Sequence, residues 1–193
     1  MKSIITLCLI IMGAVGILSA QVQLTVKLQP DNITYVVKLN TLRQQIALAA
    51  PGSTLTFAAT VSTVNLMSEI TIDKNLTITG TVGVTTTIDA NGNSRVFTIT
   101  DGEVILNNIT IINGVAGDGG GIFNSAALTL NACAVTSCVA NGTPGSGGGI
   151  FNGAGGVLTA TGTSFQNNSA NRAGGAIEDN SGTGLGIILT NVM

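Results

Sequence analysis

The chain has 193 residues, of which 45% are apolar, 8% charged and 3% aromatic, with 26 Gly and neither Trp nor His. The apolar content excludes a disordered chain, and the scarcity of Glu, Lys and Arg excludes long amphipathic helices. A formal net charge of −2 without a basic cluster excludes nucleic acid as a partner, because that binding needs several cations on one face.

In chain order, residues 1–20 have the build of a secretory signal peptide. Lys2 supplies the positive start, Ile4 to Leu18 the apolar run, and Ser19-Ala20 the small residues before Gln21. An N-terminal membrane anchor is the rival reading, since the run approaches the shortest bilayer span. Residues 21–40 read as a lead-in strand segment. A helix is predicted over Leu42 to Ala49, where Thr41 and Gln44 make a capping box, Leu42, Ile46 and Ala49 share a face, and Pro51-Gly52 stops it. Strand signals follow: Leu55-Thr56-Phe57 and Val64-Asn65-Leu66, then Ile70-Thr71-Ile72, Leu76-Thr77-Ile78 and Thr86-Thr87-Ile88.

From Val96 onward the chain repeats itself. Gly119-Gly120-Gly121-Ile122-Phe123-Asn124 recurs as Gly147-Gly148-Gly149-Ile150-Phe151-Asn152, with a degenerate copy at Gly174-Gly175-Ala176-Ile177 and Ile-to-Ile steps of 28 and 27 residues. Each copy leads into two further short strands. Ile109/Ile111, Cys133/Val135 and Thr163/Phe165 fall on one inner face, with Thr110, Ala134 and Ser164 outward. A unit of three strands repeated at this period implies stacked coils. Residues 41–193 are therefore expected to form a right-handed parallel β-helix of about five coils. Its open N-terminal end needs a lid, which the predicted helix can supply. Ile188-Leu189-Thr190-Asn191-Val192 repeats the register of Ile105-Leu106-Asn107-Asn108-Ile109, so the sequence stops as a third strand begins. Two explanations stay open: the chain is a fragment truncated at its C-terminus, or the uncapped last coil self-associates.

Other signals are read as structural. The glycine triplets allow positive φ and close packing between coils. They are not phosphate loops, because no helix and no Lys-Ser/Thr pair follows. Gly117-Asp118-Gly119-Gly120-Gly121 occurs once and lacks the fixed Asp spacing of calcium-binding nonapeptides. Cys133 and Cys138, in an exported chain, can be bridged or free. Threonine pairs such as Thr77/Thr79, Thr98/Thr100 and Thr159/Thr161 raise the idea of an ice-binding face. They do not recur at one position in successive coils, which predicts no flat threonine array.

Gly174-Gly175-Ala176-Ile177 together with Phe165-Gln166-Asn167-Asn168 resembles the GGAI and FxxN pairing of polymorphic outer membrane protein repeats. The Gly-Gly-Gly-Ile-Phe-Asn copies resemble a related group of bacterial surface and secreted proteins. The helix of that group is similar to Thr41-Leu42-Arg43-Gln44-Gln45-Ile46, followed by Pro51-Gly52. The resemblance implies a pectin-lyase-like fold and a surface or secreted stalk, often an adhesin. Departures are Phe-Asn after two of the Ile residues, Val135 and Cys138 in place of the Phe and Asn of FxxN, and Gln45 in the opening helix.

The same fold also hosts lyases, which need a base beside a neutralised acid, and hydrolases, which need paired carboxylates. The acids of the mature chain are scattered, and the best polar groupings are Asp89 with Arg95, Asp101 with Glu103, and Glu178-Asp179 near Arg172. All three read as solvated turns, so no catalytic, metal-binding or cofactor-binding residue is assigned. The sequence points to an exported, non-catalytic adhesin or stalk segment of a larger outer-membrane or extracellular protein. Its expected partner is a protein or glycan of a host or neighbouring cell, met by an exposed strand face or by the turns Val115 to Gly120 and Asn141 to Ser146. The alternative is the N-terminal part of a polysaccharide lyase or hydrolase whose catalytic coils lie elsewhere.

Overall fold

The computed structural model describes residues 16–18, 22–28, 33–39, 41–182 and 184–193. The signal-peptide reading of residues 1–20 falls outside these except for Gly16–Leu18, which runs parallel to Ser53–Phe57. In the lead-in segment, Val22–Leu28 and Ile33–Leu39 pair antiparallel. From Thr41 onward the chain is a parallel β-solenoid of about five turns, with a single short helix at its N-terminus.

The solenoid has three principal faces, visited in fixed order on each turn. A long face stacks Ser53–Phe57, Leu76–Thr79, Glu103–Asn107, Ala127–Asn131, Val157–Thr161 and Ile187–Thr190. A middle face stacks Thr63–Asn65, Thr86–Asp89, Ile109–Ile112, Ala134–Thr136 and Ser164–Gln166. A closing face stacks Ile70–Asp73, Phe97–Asp101, Ile122–Asn124, Ile150–Asn152 and Ile177–Asp179. The three-strand coil read from the sequence needs one correction. The corner stretches Val115–Ala116, Val139–Ala140 and Ser169–Ala170 also pair, as a fourth, two-residue ladder.

Alternation along each strand sends every second side chain inward, and parallel register puts like on like. Ile122 sits beside Ile150, and the column of Val104, Leu128 and Leu158 is almost wholly buried. The middle-face residues Ile109, Ile111, Cys133, Val135 and Thr163 are buried as the period predicts. Cys133 and Cys138 are buried and free rather than bridged to each other.

The helix Leu42–Leu48 is too short to persist alone. Thr41 and Gln44 form the predicted capping box, while Leu42 and Ile46 enter the same core as Leu55 and Phe57. Lys74 Nζ donates to the carbonyls of Ile46, Ala47 and Ala49 at 3.3–3.4 Å, satisfying the helix C-terminus. Arg43 donates to the Ser68 and Glu69 carbonyls at 2.7 and 2.8 Å. Two cations thus tie the helix to the first coil.

The corners explain the glycines and much of the asparagine. At the first Gly of each triplet φ is positive: +60° at Gly119, +66° at Gly147 and +62° at Gly174. At the third, a Cβ on Gly121 would lie 2.6 Å from the Gly149 carbonyl oxygen, so the backbone of the next coil leaves no room for a side chain. The corner from the long to the middle face stacks left-handed residues: Asn108 (φ 53°), Ala132 (φ 50°), Gly162 (φ 58°) and Asn191 (φ 50°). The following corner stacks Asn113, Ser137 and Asn167 in the same conformation, with φ 55°, 56° and 54°.

Ala132 is the misfit in the first column, because its Cβ meets the left-handed penalty that Asn and Gly largely escape. Ala132→Gly is expected to stabilise the protein by about 1 kcal/mol, the left-handed penalty of ~1–2 kcal/mol less the backbone entropy of Gly. Gly162→Ala is expected to cost about 1 kcal/mol for the same reason. Urea unfolding midpoints of the two variants test the pair; a destabilised Ala132→Gly contradicts it.

Candidate functional site

Two outward surfaces and one buried polar ladder stand apart from the rest of the solenoid. On the closing face the outward column runs Thr71, Thr98, Phe123, Phe151 and Glu178. The rings of Phe123 and Phe151 stack with centroids 5.3 Å apart and planes at 25°. Register forces the pair, since the repeated Ile-Phe-Asn places the same residue at the same height on adjacent coils. Gly153 assists, because a Cβ there would crowd Phe123 Cζ at 3.2 Å.

Arg95 covers one end of this stack, its guanidinium 5.3 Å from the Phe123 centroid. Its Nη1 donates to Glu69 Oε2 at 2.8 Å and Thr98 Oγ1 at 2.9 Å, Nε to the Gly119 carbonyl at 2.9 Å, and Nη2 to the Asp118 carbonyl at 2.7 Å. Burial lowers the Arg95 pKa, while the neighbouring Glu69 carboxylate opposes that shift. At the other end Arg172 Nη2 pairs with Glu178 Oε1 at 3.0 Å, and Arg172 Nε donates to Ser146 Oγ at 2.9 Å. The result is a strip of cation, two stacked rings and an ion pair.

The polar groupings singled out in the sequence are not brought together as catalytic pairs. Arg95 pairs with Glu69 rather than Asp89. Asp89 Oδ1 instead accepts from Asn91 N at 2.7 Å and Asn113 Nδ2 at 3.0 Å. Asp101 Oδ1 accepts from Gly102 N, while the backbone N–H of Glu103 is taken by Asn75 Oδ1. Arg172 does meet Glu178, but Asp179 belongs to a different network. Among the described residues no three His, Cys, Asp or Glu side chains converge on a point. The two candidate binding turns are zipped to each other: Gly119 N donates to the Ser146 carbonyl, Gly142 N to the Gly117 carbonyl, and Ser146 N to Asp118 Oδ1.

Sequence reasoning missed the buried ladder. Asn124 and Asn152 are fully buried on the inner side of the closing face, continuing a column that begins with Ile72 and Ile99. Asn124 Nδ2 donates to Asn152 Oδ1 at 2.7 Å, and Asn152 Nδ2 donates to Asp179 Oδ1 at 2.9 Å. Each amide also reaches carbonyls at the adjoining corner, Ala126 for Asn124 and Gly156 and Gly186 for Asn152. With an inward Ile at the first position of Ile-Phe-Asn, alternation makes Asn inward as well, and that signal was available. Asn168 works similarly at the middle-face corner, donating to the Val135 carbonyl at 2.8 Å and accepting from Cys138 N at 2.9 Å. In the coil below, Cys138 replaces that amide, and burial pushes its thiol up to about 11.

The second outward surface corrects part of an expectation. On the long face, Thr54, Thr77, Ile105, Thr129, Thr159 and Ile188 form one continuous outward column. Thr56, Thr79, Asn107, Asn131, Thr161 and Thr190 form a second beside it. A threonine pair does recur in successive coils at Thr54/Thr56 and Thr77/Thr79, whereas Ile105/Asn107 and Thr129/Asn131 separate these from the equivalent pair Thr159/Thr161. Coil length conceals this in the sequence: the step from Thr79 to Asn107 is 28 residues, but the next, to Asn131, is 24. Corner loops absorb the difference, so the register of the face never slips.

No family model, no curated protein and no solved structure matches this chain. The parallel solenoid stands on its own geometry, and the resemblance to outer-membrane repeats rests on the quoted motifs alone.

Two outcomes are expected. Asn152 foremost, with Ser181 adding to it, holds the Asp179 carboxyl below its ordinary range. A carboxylate whose pKa is lower folded than unfolded stabilises the fold above the unfolded value of about 3.9 and loses that contribution as pH falls through the folded value. Melting temperature is therefore expected to drop on acidification below about pH 4, and less steeply in Asp179→Asn; equal slopes would rule out the linkage. Arg95→Ala removes four hydrogen bonds that join three coils and is expected to cost about 2 kcal/mol in urea unfolding.

Proposed function

We propose that this chain is a non-catalytic segment of a secreted or cell-surface β-helix protein, a stalk or adhesin that meets a protein or glycan of a host or neighbouring cell. The observation that supports it is the strip Arg95–Phe123–Phe151–Glu178–Arg172 on the closing face. Stacked rings present a flat apolar surface with fixed geometry, and the Glu178–Arg172 pair beside them offers hydrogen bonds to hydroxyls. That combination suits the alternating apolar and hydroxyl faces of a sugar chain. The GGAI and FxxN motifs support the narrower reading, a pectin-lyase-like relative of the polymorphic outer membrane repeats. The signal-like residues 1–20 support export.

The scaffold carries the two rings without needing them. Both rings project outward, so their removal leaves the inner columns intact, whereas an inner residue such as Leu130 cannot be changed without opening a cavity.

Binding of the full chain to a glycan array and to whole cells tests the reading, together with immunoblots of envelope and medium. Phe123→Ala and Phe151→Ala are expected to retain the β-sheet circular dichroism and lose about tenfold or more in affinity, a loss of at least ~1.4 kcal/mol. Absence of binding by the unsubstituted chain, or its confinement to the cytoplasm, would sink the proposal.

A further inference from the structure

We propose that the long face is an ice-binding surface. This goes beyond the stalk reading and does not rest on it, because it concerns a different face of the solenoid. The two outward columns hold threonine at Thr54/Thr56, Thr77/Thr79 and Thr159/Thr161, with single threonines at Thr129 and Thr190. The remaining places are taken by Ile and Asn.

Spacing makes the array a lattice. Strands in a sheet lie about 4.8 Å apart, and alternate residues along a parallel strand are roughly 6.6 Å apart. The prism face of hexagonal ice repeats at closely similar intervals in two perpendicular directions. Threonine offers each lattice point a hydroxyl for water and a methyl that shapes the water around it. Its branched Cβ restricts χ1, so neighbouring hydroxyls keep a common orientation. The Asn interruptions continue the hydrogen-bonded row, with Asn107 Nδ2 donating to Thr79 Oγ1 at 3.1 Å and Asn131 Nδ2 to Asn107 Oδ1 at 2.9 Å.

Neither threonine column carries an ionisable group, and the one charge on the six strands, Glu103, is exposed on the same outward side two residues before Ile105, beyond the edge of both columns. The middle face has Asp89 in its outward column, and the closing face ends in Glu178. Outward threonine is common in strands on propensity alone, but propensity acts equally on all three faces. A charge orders water radially around itself and opposes a lattice, so the two uncharged columns are the part of the face that suits a neutral crystal. Register adds the last condition. The six strands pair without a shift, whereas the closing face carries an irregularity at Ile72/Asp73.

The test grows an ice hemisphere slowly from a solution of the full chain, assays protein in the ice and liquid fractions, and measures thermal hysteresis. The unsubstituted chain is expected to concentrate in the ice and to depress the freezing point below the melting point in a dose-dependent way. Thr129→Lys is expected to abolish both effects, while Thr110→Lys, on the middle face, retains them. Should Thr129→Lys lose its β-sheet circular dichroism, Thr159→Ser replaces it. That change keeps the hydroxyl, deletes the methyl, and is expected to reduce hysteresis. Exclusion of the unsubstituted chain from ice overturns the proposal, as does equal loss in the long-face and middle-face variants. Retention on insoluble cellulose or chitin without hysteresis overturns it too, and reassigns the face to polysaccharide.

Discussion

Backbone hydrogen bonding from each coil to the next is the constraint on which everything else in this molecule depends. A strand in a solenoid has no partner within its own coil, so its N–H and C=O groups are satisfied only by the equivalent strand one turn away. Once that pairing is made, whatever occurs at a position in one coil must tolerate its counterpart above and below. Ile122 on Ile150, Phe123 on Phe151 and Asn124 on Asn152 are three results of one register. The glycine triplets belong to the same constraint. Where carbonyl oxygens of the neighbouring coil approach a Cα closely, no side chain fits.

Polar side chains are used mainly to hold coils together. Asn124 and Asn152 would be costly in an apolar column if left unpaired, but each amide bonds the next member and the corner carbonyls. Asn168 closes the corner of the coil below, Lys74 closes the helix, and Arg95 spans three coils. Buried polar networks of this kind define register more sharply than apolar packing, because a one-residue slip would strand every amide. The charged pairs that looked most like chemistry in the sequence are parts of these clips.

The outward strand residues carry less of that work, and the three faces have diverged accordingly. One carries stacked aromatics flanked by charge, one carries two uncharged columns rich in threonine, and the middle face mixes small polar residues with Asp89. Function in a repeat scaffold is written on such faces, since the inner columns that make the fold constrain only alternate positions.

The amino-acid sequence by itself determined the class of fold. Repetition of Gly-Gly-Gly-Ile-Phe-Asn, alternation in strands such as Leu128-Thr129-Leu130, and the Thr41–Gln44 capping box are local signals, and local physics is enough to read them. The register of Ile188 to Val192 with Ile105 to Ile109 was legible for the same reason: Ile188 does align with Thr159, Thr129 and Ile105. Positions that depend on how much chain each corner absorbs were settled only by the tertiary structure. The fourth corner ladder, the pairing of Arg95 with Glu69 rather than Asp89, and the two threonine columns all rest on coils of unequal length meeting in one register. Loop length varies freely at the corners because it costs little, while the ladder permits no slip. Sequence distance therefore stops predicting which outward residues become neighbours.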